Sequence, residues 1–454
     1  MKTLGIIAEY NPFHNGHKYL ISELKKETGA DFVVVVMSGD FTQRGCPSII
    51  EKFQRTKMAM LSGADIVLEL PIYYSTGSAE FFAQGAVSIL DSLSCIDYLG
   101  FGSESGDIAS MEKIADILVN ENNELSELIK KYVKSGASYA AARAKALAQI
   151  LKENDLQNFC ASAESHPINT TSNNPESSES LDNIEDIIQS PNDILGIEYI
   201  KAIKKLNSSI TPVCIKRKGE GYHSLEVTAA AESLSSASAI RKVFFKDESS
   251  YTDEDSFTEG TDTSAFPDLS SLYKVMPRDC ADIFIKEEKV SLNSFSKLLH
   301  YKLLSEQLTG FDKYADVSRD LSDKIKNALP EFTDAISFIM SLKSKDITYS
   351  HINRALIHIL LGITKENLVE YTKEPHFTAY ARILGLNKDS SELLKAIKTG
   401  SKIPVISRLA DAYGALSEKE MRLLSETIAA SNIYDMVLDK KRISEYTKQI
   451  IILP

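Results

Sequence analysis

The sequence predicts an α/β protein: a Rossmann-like, doubly wound parallel sheet followed by a C-terminal domain that is mainly α-helical. Three observations predict it. Over the first ~120 residues, short apolar runs alternate with amphipathic segments. Residues 32–37 (FVVVVM) form an unbroken apolar run, as a parallel strand covered on both faces requires. From about residue 276 onward the apolar residues recur mainly at helical spacing.

The elements follow in order. Residues 3–8 form a strand that leads into a loop, and residues 16–26 a helix with Tyr19, Leu20 and Leu24 on one face. Residues 32–37 are the second strand. Residues 48–61 are a helix with Pro47 at its entrance, where a missing N–H costs nothing. Residues 65–70, 78–90 and 96–101 read as strand, helix and strand. Right-handed crossovers in such an order place ligands at the carboxyl ends of the strands. Residues 111–151 are helical, 191–206 a helix and 212–217 a strand. Segments 163–190 and 247–270 are polar insertions, and the first is expected to be flexible and dispensable. The expected division is a domain of residues 1–275 carrying both insertions and a helical domain of residues 276–454, with helices over 351–361 and 392–399.

The net charge of −12 argues at first against a nucleic-acid partner. The distribution of that charge removes the objection. Residues 154–190 hold seven acids and residues 247–268 eight, with no Lys or Arg in either, and without these fifteen the remainder would carry +3. Residues 281–454 hold 25 Lys and Arg against 23 Asp and Glu, so a basic face is permitted there. The five cysteines, Cys46, Cys95, Cys160, Cys214 and Cys280, are scattered without a CxxC pair, which points to neither a disulfide framework nor a zinc site. The apolar N-terminal stretch is too short to span a membrane, so a cytoplasmic chain without a membrane partner is expected.

The chemistry concentrates in Tyr10-Asn11-Pro12-Phe13-His14-Asn15-Gly16-His17, between a strand and a helix. A helix N-terminus there offers free N–H groups and a positive dipole end to phosphate. Gly16 lets a backbone approach closely. His14 and His17, three apart on one helical turn, can both face one anion and stabilise charge as pyrophosphate leaves. The spacing alone also fits two unrelated histidines, or a metal pair; the preceding strand, Pro12 and Gly16 favour the phosphate reading. Ser236, Ser238 and Arg241, in SSASAIRK, form a second possible phosphate-binding element, with a Ser-capped helix bearing a basic face as the alternative.

The HxGH form after a first strand resembles the HIGH-motif nucleotidyltransferases. The longer string AEYNPFHNGHKYLI resembles the bacterial tRNA(Met) cytidine acetate ligases, as do MSGDFTQRG (37–45), EKFQRTKMAMLSGADIVLELP (51–71), FGSE (101–104), SPNDILGIEYIKA (190–202), IKRKGEGYH (215–223), SASAIRK (236–242), YSHINRALIHILLGI (349–363) and YARILGLN (380–387). The resemblance implies an enzyme that activates acetate with ATP to acetyl-adenylate and transfers acetyl to N4 of the wobble cytidine of elongator tRNA(Met), without acetyl-CoA. It implies His14 and His17 as catalytic groups. It implies an ATP site of Ile7, Ala8, Glu9, Tyr10, Asn11, Pro12, Phe13, His14, Asn15, Gly16, His17, Lys18, Tyr19 and Leu20 with Gly102, Asn192 and Arg217.

By position alone, Gly102 also fits a plain strand-end turn, Asn192 a helix cap, and Arg217 a solvated charge. Glu9, Asp40 and Glu69 end or follow strands, and each is a candidate to hold Mg²⁺ or to act as a base, with no choice among them. Arg354, Arg382 and Lys441, with Arg408, Lys440 and Arg442, are candidates to contact tRNA phosphates. Two rival functions share these features: a small-molecule adenylyl- or cytidylyltransferase, and a non-catalytic RNA-binding protein on a nucleotidyltransferase scaffold.

Overall fold

The computed structural model describes every residue except 121–122, 136–141, 152, 154–185, 218–235, 246–268, 345–346, 374–376, 378–379 and 440–442. In chain order its main elements are β1 (Thr3–Ala8), α1 (Asn15–Thr28), β2 (Phe32–Ser38), α2 (Lys52–Leu61), β3 (Ile66–Leu70), α3 (Ile72–Ser75), α4 (Ala79–Ser92) and β4 (Tyr98–Ser103). Then come α5 (Ile108–Val119), α6 (Asn123–Lys134), α7 (Pro191–Lys205), β5 (Thr211–Lys216) and α8 (Ala237–Phe244). The C-terminal part contributes α9 (Tyr349–Leu361), β6 (Ala381–Asn387), β7 (Val405–Ile406), α10 (Glu418–Asp435) and β8 (Ile451–Leu453), among further helices such as Ser296–Glu306 and Ala335–Leu342.

The contacts form two compact units, Met1–Leu99 with Lys218–Pro454, and Gly100–Arg217. In the first unit β1, β2 and β3 pair in parallel, with Thr3 beside Phe32 and Val34 beside Ile66. Val33 to Met37 are fully buried, as the unbroken apolar run requires. The sheet is mixed, because β6 pairs antiparallel with β3 and β7 and β8 run parallel to β6. Residues 276–454, expected to be a helical domain, therefore share a sheet with the N-terminal strands. Gly385 makes this possible: a Cβ there would collide with Met60 Sδ and lie 2.6 Å from Thr56 Cγ2, both on α2.

Two of the boundaries that move bear on the site. Helix α2 starts at Lys52, four residues later than expected, because the buried residues 48–50 are pinned as a loop. The Ser48 amide and hydroxyl both donate to the Asp40 carbonyl, and Pro47 pairs with Phe41 in an isolated bridge. Strand β4 runs two residues further than expected, so Gly102 lies inside it.

In the second unit α5 and α7 pack together, and Gly196 is the contact point: a Cβ there would lie 2.5 Å from Phe101 and 3.1 Å from Met111 Sδ. Glu198, buried on α7, takes ion pairs from Arg143 at 3.0 Å and Lys201 at 3.3 Å. Most of the segment 163–190 lies outside the described residues, as does nearly all of 247–270; residues 186–189 form a helical turn leading into α7.

Candidate active site at the first helix N-terminus

Strand β1 delivers the chain into residues 9–14, and His14 is the N-cap of α1. Its extended backbone (φ −146°, ψ 175°) turns the imidazole back over the first turn. His14 Nδ1 accepts a hydrogen bond from the Gly16 amide at 3.0 Å, and His17 Nδ1 accepts one from the His14 amide at 3.2 Å. The two histidines thus form a reciprocal capping box, with ring centroids 3.7 Å apart. A nitrogen that accepts such a bond carries no proton, so each neutral ring holds its proton on Nε2. The motif therefore presents two Nε2–H donors of fixed tautomer. No acidic residue occupies the first turn of α1, so the positive helix end is not offset locally.

The sequence places Gly16 where a backbone approaches a ligand. The structure adds a nearer reason. A Cβ at this position would lie 2.8 Å from His14 Cε1 and 3.0 Å from its Nδ1. Glycine is what allows the capping imidazole to lie over the turn.

The loop before His14 is held from three sides. Asn11 Oδ1 accepts from the Ile49 amide at 2.8 Å. The Asn11 carbonyl accepts from Arg241 Nη1 at 2.5 Å, and Arg241 Nη2 donates to Ser238 Oγ at 3.1 Å. Ser236 caps α8 through the Ala239 amide at 3.1 Å. The second expected phosphate element is thus brought against the first. Glu9 Oε1 accepts from the Gln43 amide at 2.8 Å. The side chain of Asn15 donates to the Lys274 carbonyl at 2.9 Å. Ile7, Asn11, Pro12 and Phe13 are buried, Ala8, Tyr19 and Leu20 are half-buried, and Lys18 is exposed.

Arg55 carries no mark in the sequence that sets it apart. It is fully buried on α2, and its guanidinium donates to the carbonyls of Glu9 (2.6 Å), Ser38 (3.1 Å), Ile50 (3.1 Å) and Gly39. Burial lowers its pKa from the usual arginine value. It ties the ends of β1 and β2 to the loop that holds Asn11. The loop of residues 41–46 rests on α9: a Cβ at Gly45, whose φ is +71°, would collide with the Arg354 backbone, and Asn353 Nδ2 donates to Cys46 Sγ at 3.4 Å. Burial pushes the Cys46 thiol up, so it stays protonated.

Several expected roles change. Arg382, expected to face RNA, is buried on β6 and pairs with Glu69 at 2.6 Å and Glu445 at 2.7 Å. Arg354 is largely buried and donates from Nε to Asp316 at 2.8 Å. Lys441, Lys440 and Arg442 lie outside the described residues. Asp40 and Glu69 are buried and committed to α2: Asp40 Oδ1 accepts the Lys52 amide at 2.7 Å, and Glu69 Oε1 takes Lys52 Nζ at 2.5 Å. Among the described residues no three His, Cys, Asp or Glu side chains group to hold a metal. These residues thus offer Mg²⁺ no ready cage of their own.

In the second unit, Gly102, Asn192 and Arg217 converge on the end of β4. Asn192 donates to Glu104, and the Arg217 amide donates to the Ser103 carbonyl at 2.9 Å. Asp193, fully buried and unforeseen, organises this turn: Oδ1 accepts from Ser103 Oγ (2.5 Å) and the Glu104 amide (3.1 Å), and Oδ2 from the Ser105 amide (3.1 Å). Glu104 Oε2 is buried without a hydrogen-bond partner. Asn192 is not the helix cap, since Ser190 holds that position. The Arg217 side chain is exposed.

A sequence model of the HIGH Nucleotidyl Transferase family matches residues 1–449. A tRNA(Met) cytidine acetate ligase of Acetivibrio thermocellus is 37% identical over 465 residues, covering 100% of both chains. One from a Thermoanaerobacter species is 37% identical, covering 98% of this chain and 97% of its own. Among solved structures, Thermotoga maritima TmcAL bound with alpha-thio ATP is similar over 100% of both chains, with a TM-score of 0.81 and 27% identity. No helix among the described residues is long and apolar enough to cross a membrane. With a matching motif, a matching fold and relatives aligned from end to end, the chain belongs to the tRNA(Met) cytidine acetate ligase family of HIGH nucleotidyl transferases.

Proposed function

We propose that this protein activates acetate with ATP, releasing pyrophosphate, and transfers the acetyl group to N4 of the wobble cytidine of elongator tRNA(Met). The observation that carries the reading is the reciprocal capping of His14 and His17, in a chain similar over its length to tRNA(Met) cytidine acetate ligases. The two Nε2–H groups and the α1 N-terminus bind the α-phosphate and take up charge as the phosphoryl bond breaks. Ser238 and Arg241, joined to the motif through Asn11, bind the departing β- and γ-phosphates. Gly102, Asn192 and Arg217 also bind ATP. Mg²⁺ accompanies the polyphosphate, and acetyl-CoA takes no part. The RNA is bound through cations of the C-terminal segment, Lys441 among them, and the reaction runs in the cytoplasm.

The test is incorporation of labelled acetate into bulk tRNA by purified protein with ATP and Mg²⁺ and no acetyl-CoA. ATP-dependent label in N4-acetylcytidine is expected. Absence of label from folded, ATP-binding protein would move the reading to a small-molecule nucleotidyltransferase.

A further inference from the structure

Two anomalies meet at Tyr10. Its backbone lies at φ 48°, a left-handed conformation unfavourable for an aromatic residue and met most often at functional sites. Its side chain is 2% exposed, yet Oη has no hydrogen-bond partner. Buried hydroxyls are nearly always paired, and an orphan asks for a partner that arrives during function. Burial raises the phenol's pKa well above its ordinary value, so the group is a neutral O–H donor at any working pH. The ring meets His17 edge-on with centroids 4.9 Å apart, and lies 4.8 Å from the fully buried ring of Phe13. The ring that carries this unused donor therefore packs on His17 and on the apolar ring of Phe13.

A small carboxylic acid needs that combination. Its attacking oxygen must reach the α-phosphorus in line with the leaving group. Its other oxygen needs a donor, and its alkyl group an apolar surface. The mixed anhydride it forms must be kept from water, which a buried donor allows and an exposed lysine would not.

We propose that Tyr10 Oη is the recognition donor for the acid substrate, holding the carboxylate oxygen that does not attack. This rests on the acetate reading above. One acetate oxygen forms the bond to the α-phosphorus, and the bond from that phosphorus to the bridging oxygen breaks. Pyrophosphate leaves with the electron pair, and Tyr10 keeps its proton throughout.

The test is Tyr10→Phe in the full chain, read by acetate-dependent exchange of labelled pyrophosphate into ATP and by thermal melting. The expected result is a rise of about tenfold or more in KM for acetate, well beyond any change in KM for ATP, and a melting temperature equal to or above wild type, because an unpaired buried hydroxyl has been removed. An unchanged acetate KM, or an ATP KM that rises in parallel, would overturn the assignment. A lower melting temperature would place Oη in a structural bond and overturn it too. Wild-type exchange that ignores acetate would sink the ligase reading itself, and is distinguished by needing no variant at all.

Discussion

Glu69 on β3 and Arg382 on β6 are joined by a 2.6 Å ion pair inside the mixed sheet, where the two strands run antiparallel. Lys52 pairs with the same Glu69, and Glu445 closes the ring to Lys52 (2.6 Å) and Arg382 (2.7 Å). Two cations and two carboxylates thus balance one another out of reach of water. Removing one partner leaves a buried charge uncompensated, at a cost of about 3–5 kcal/mol. Glu445→Gln is expected to lower stability by that amount in urea denaturation. The double change Lys52→Met with Glu445→Leu is expected to cost less than Glu445→Gln alone, because the Glu69–Arg382 pair survives in a drier setting.

The same cluster sets a pH dependence. Burial raises Asp40 to about 6, against the pull of Lys52 and Arg55. A carboxyl raised in the folded state adds stability below its unfolded pKa, near 4, and that stability is lost as pH climbs through about 6. Glu445 is the reverse: Lys52 and Arg382 overcome its burial and hold it near 2, so its contribution is present above the usual glutamate range and lost as pH falls toward 2. Asp40→Asn removes the first effect alone. Relative to wild type, it is expected to gain up to about 3 kcal/mol between pH 4 and 6.5, measured by chemical denaturation across that range.

Gly16→Ala would ordinarily favour a helix by about 0.5–1 kcal/mol. Here the added methyl meets the His14 ring at 2.8 Å. The capping box must open and both imidazoles turn. Pyrophosphate exchange is expected to fall by about 100-fold, the scale of a roughly 1 Å misplacement, while circular dichroism stays native.

His14→Asn separates structure from chemistry. Asparagine is a good N-cap, so the helix start is retained, and the Nε2–H donor is lost. Melting is expected to stay within a few degrees of wild type and exchange to fall by roughly 100-fold or more. His14→Ala should add a loss of about 1 kcal/mol in stability. Full activity in a folded His14→Asn protein would remove this residue from the chemistry.

The first three strands and their helices were legible because apolar period and burial coincide: the run of residues 32–37 could only be a covered strand. The histidine pair was legible through its context, because the preceding strand, Pro12 and Gly16 separate the phosphate reading from the other uses of that spacing. Strand β6 was not, since ARILGLN lies among helices and its partner β3 is distant in sequence, a pairing that local pattern does not encode. Arg55, Lys52 and Asp193 were missed for another reason. A charge on a helix normally marks the wet face, and nothing in the string KFQRTK says that two of its cations point inward. The misplacement of Arg382 has the same origin. Gly45 and Gly385 carried the only local hints, as glycines whose absent side chains make room for a neighbouring helix.

The pairing of β6 with β3 also orders events during synthesis. A ribosome makes Lys52 long before Arg382 and Glu445, so a nascent chain can bring β1, β2 and β3 together while Lys52 still lacks one carboxylate and β3 still shows an open edge. Until residues 381–453 emerge, that edge is a template for strands of other chains. Translation that stalls in this interval would leave an aggregation-prone intermediate, while the helix bearing His14 and His17 is already complete in sequence.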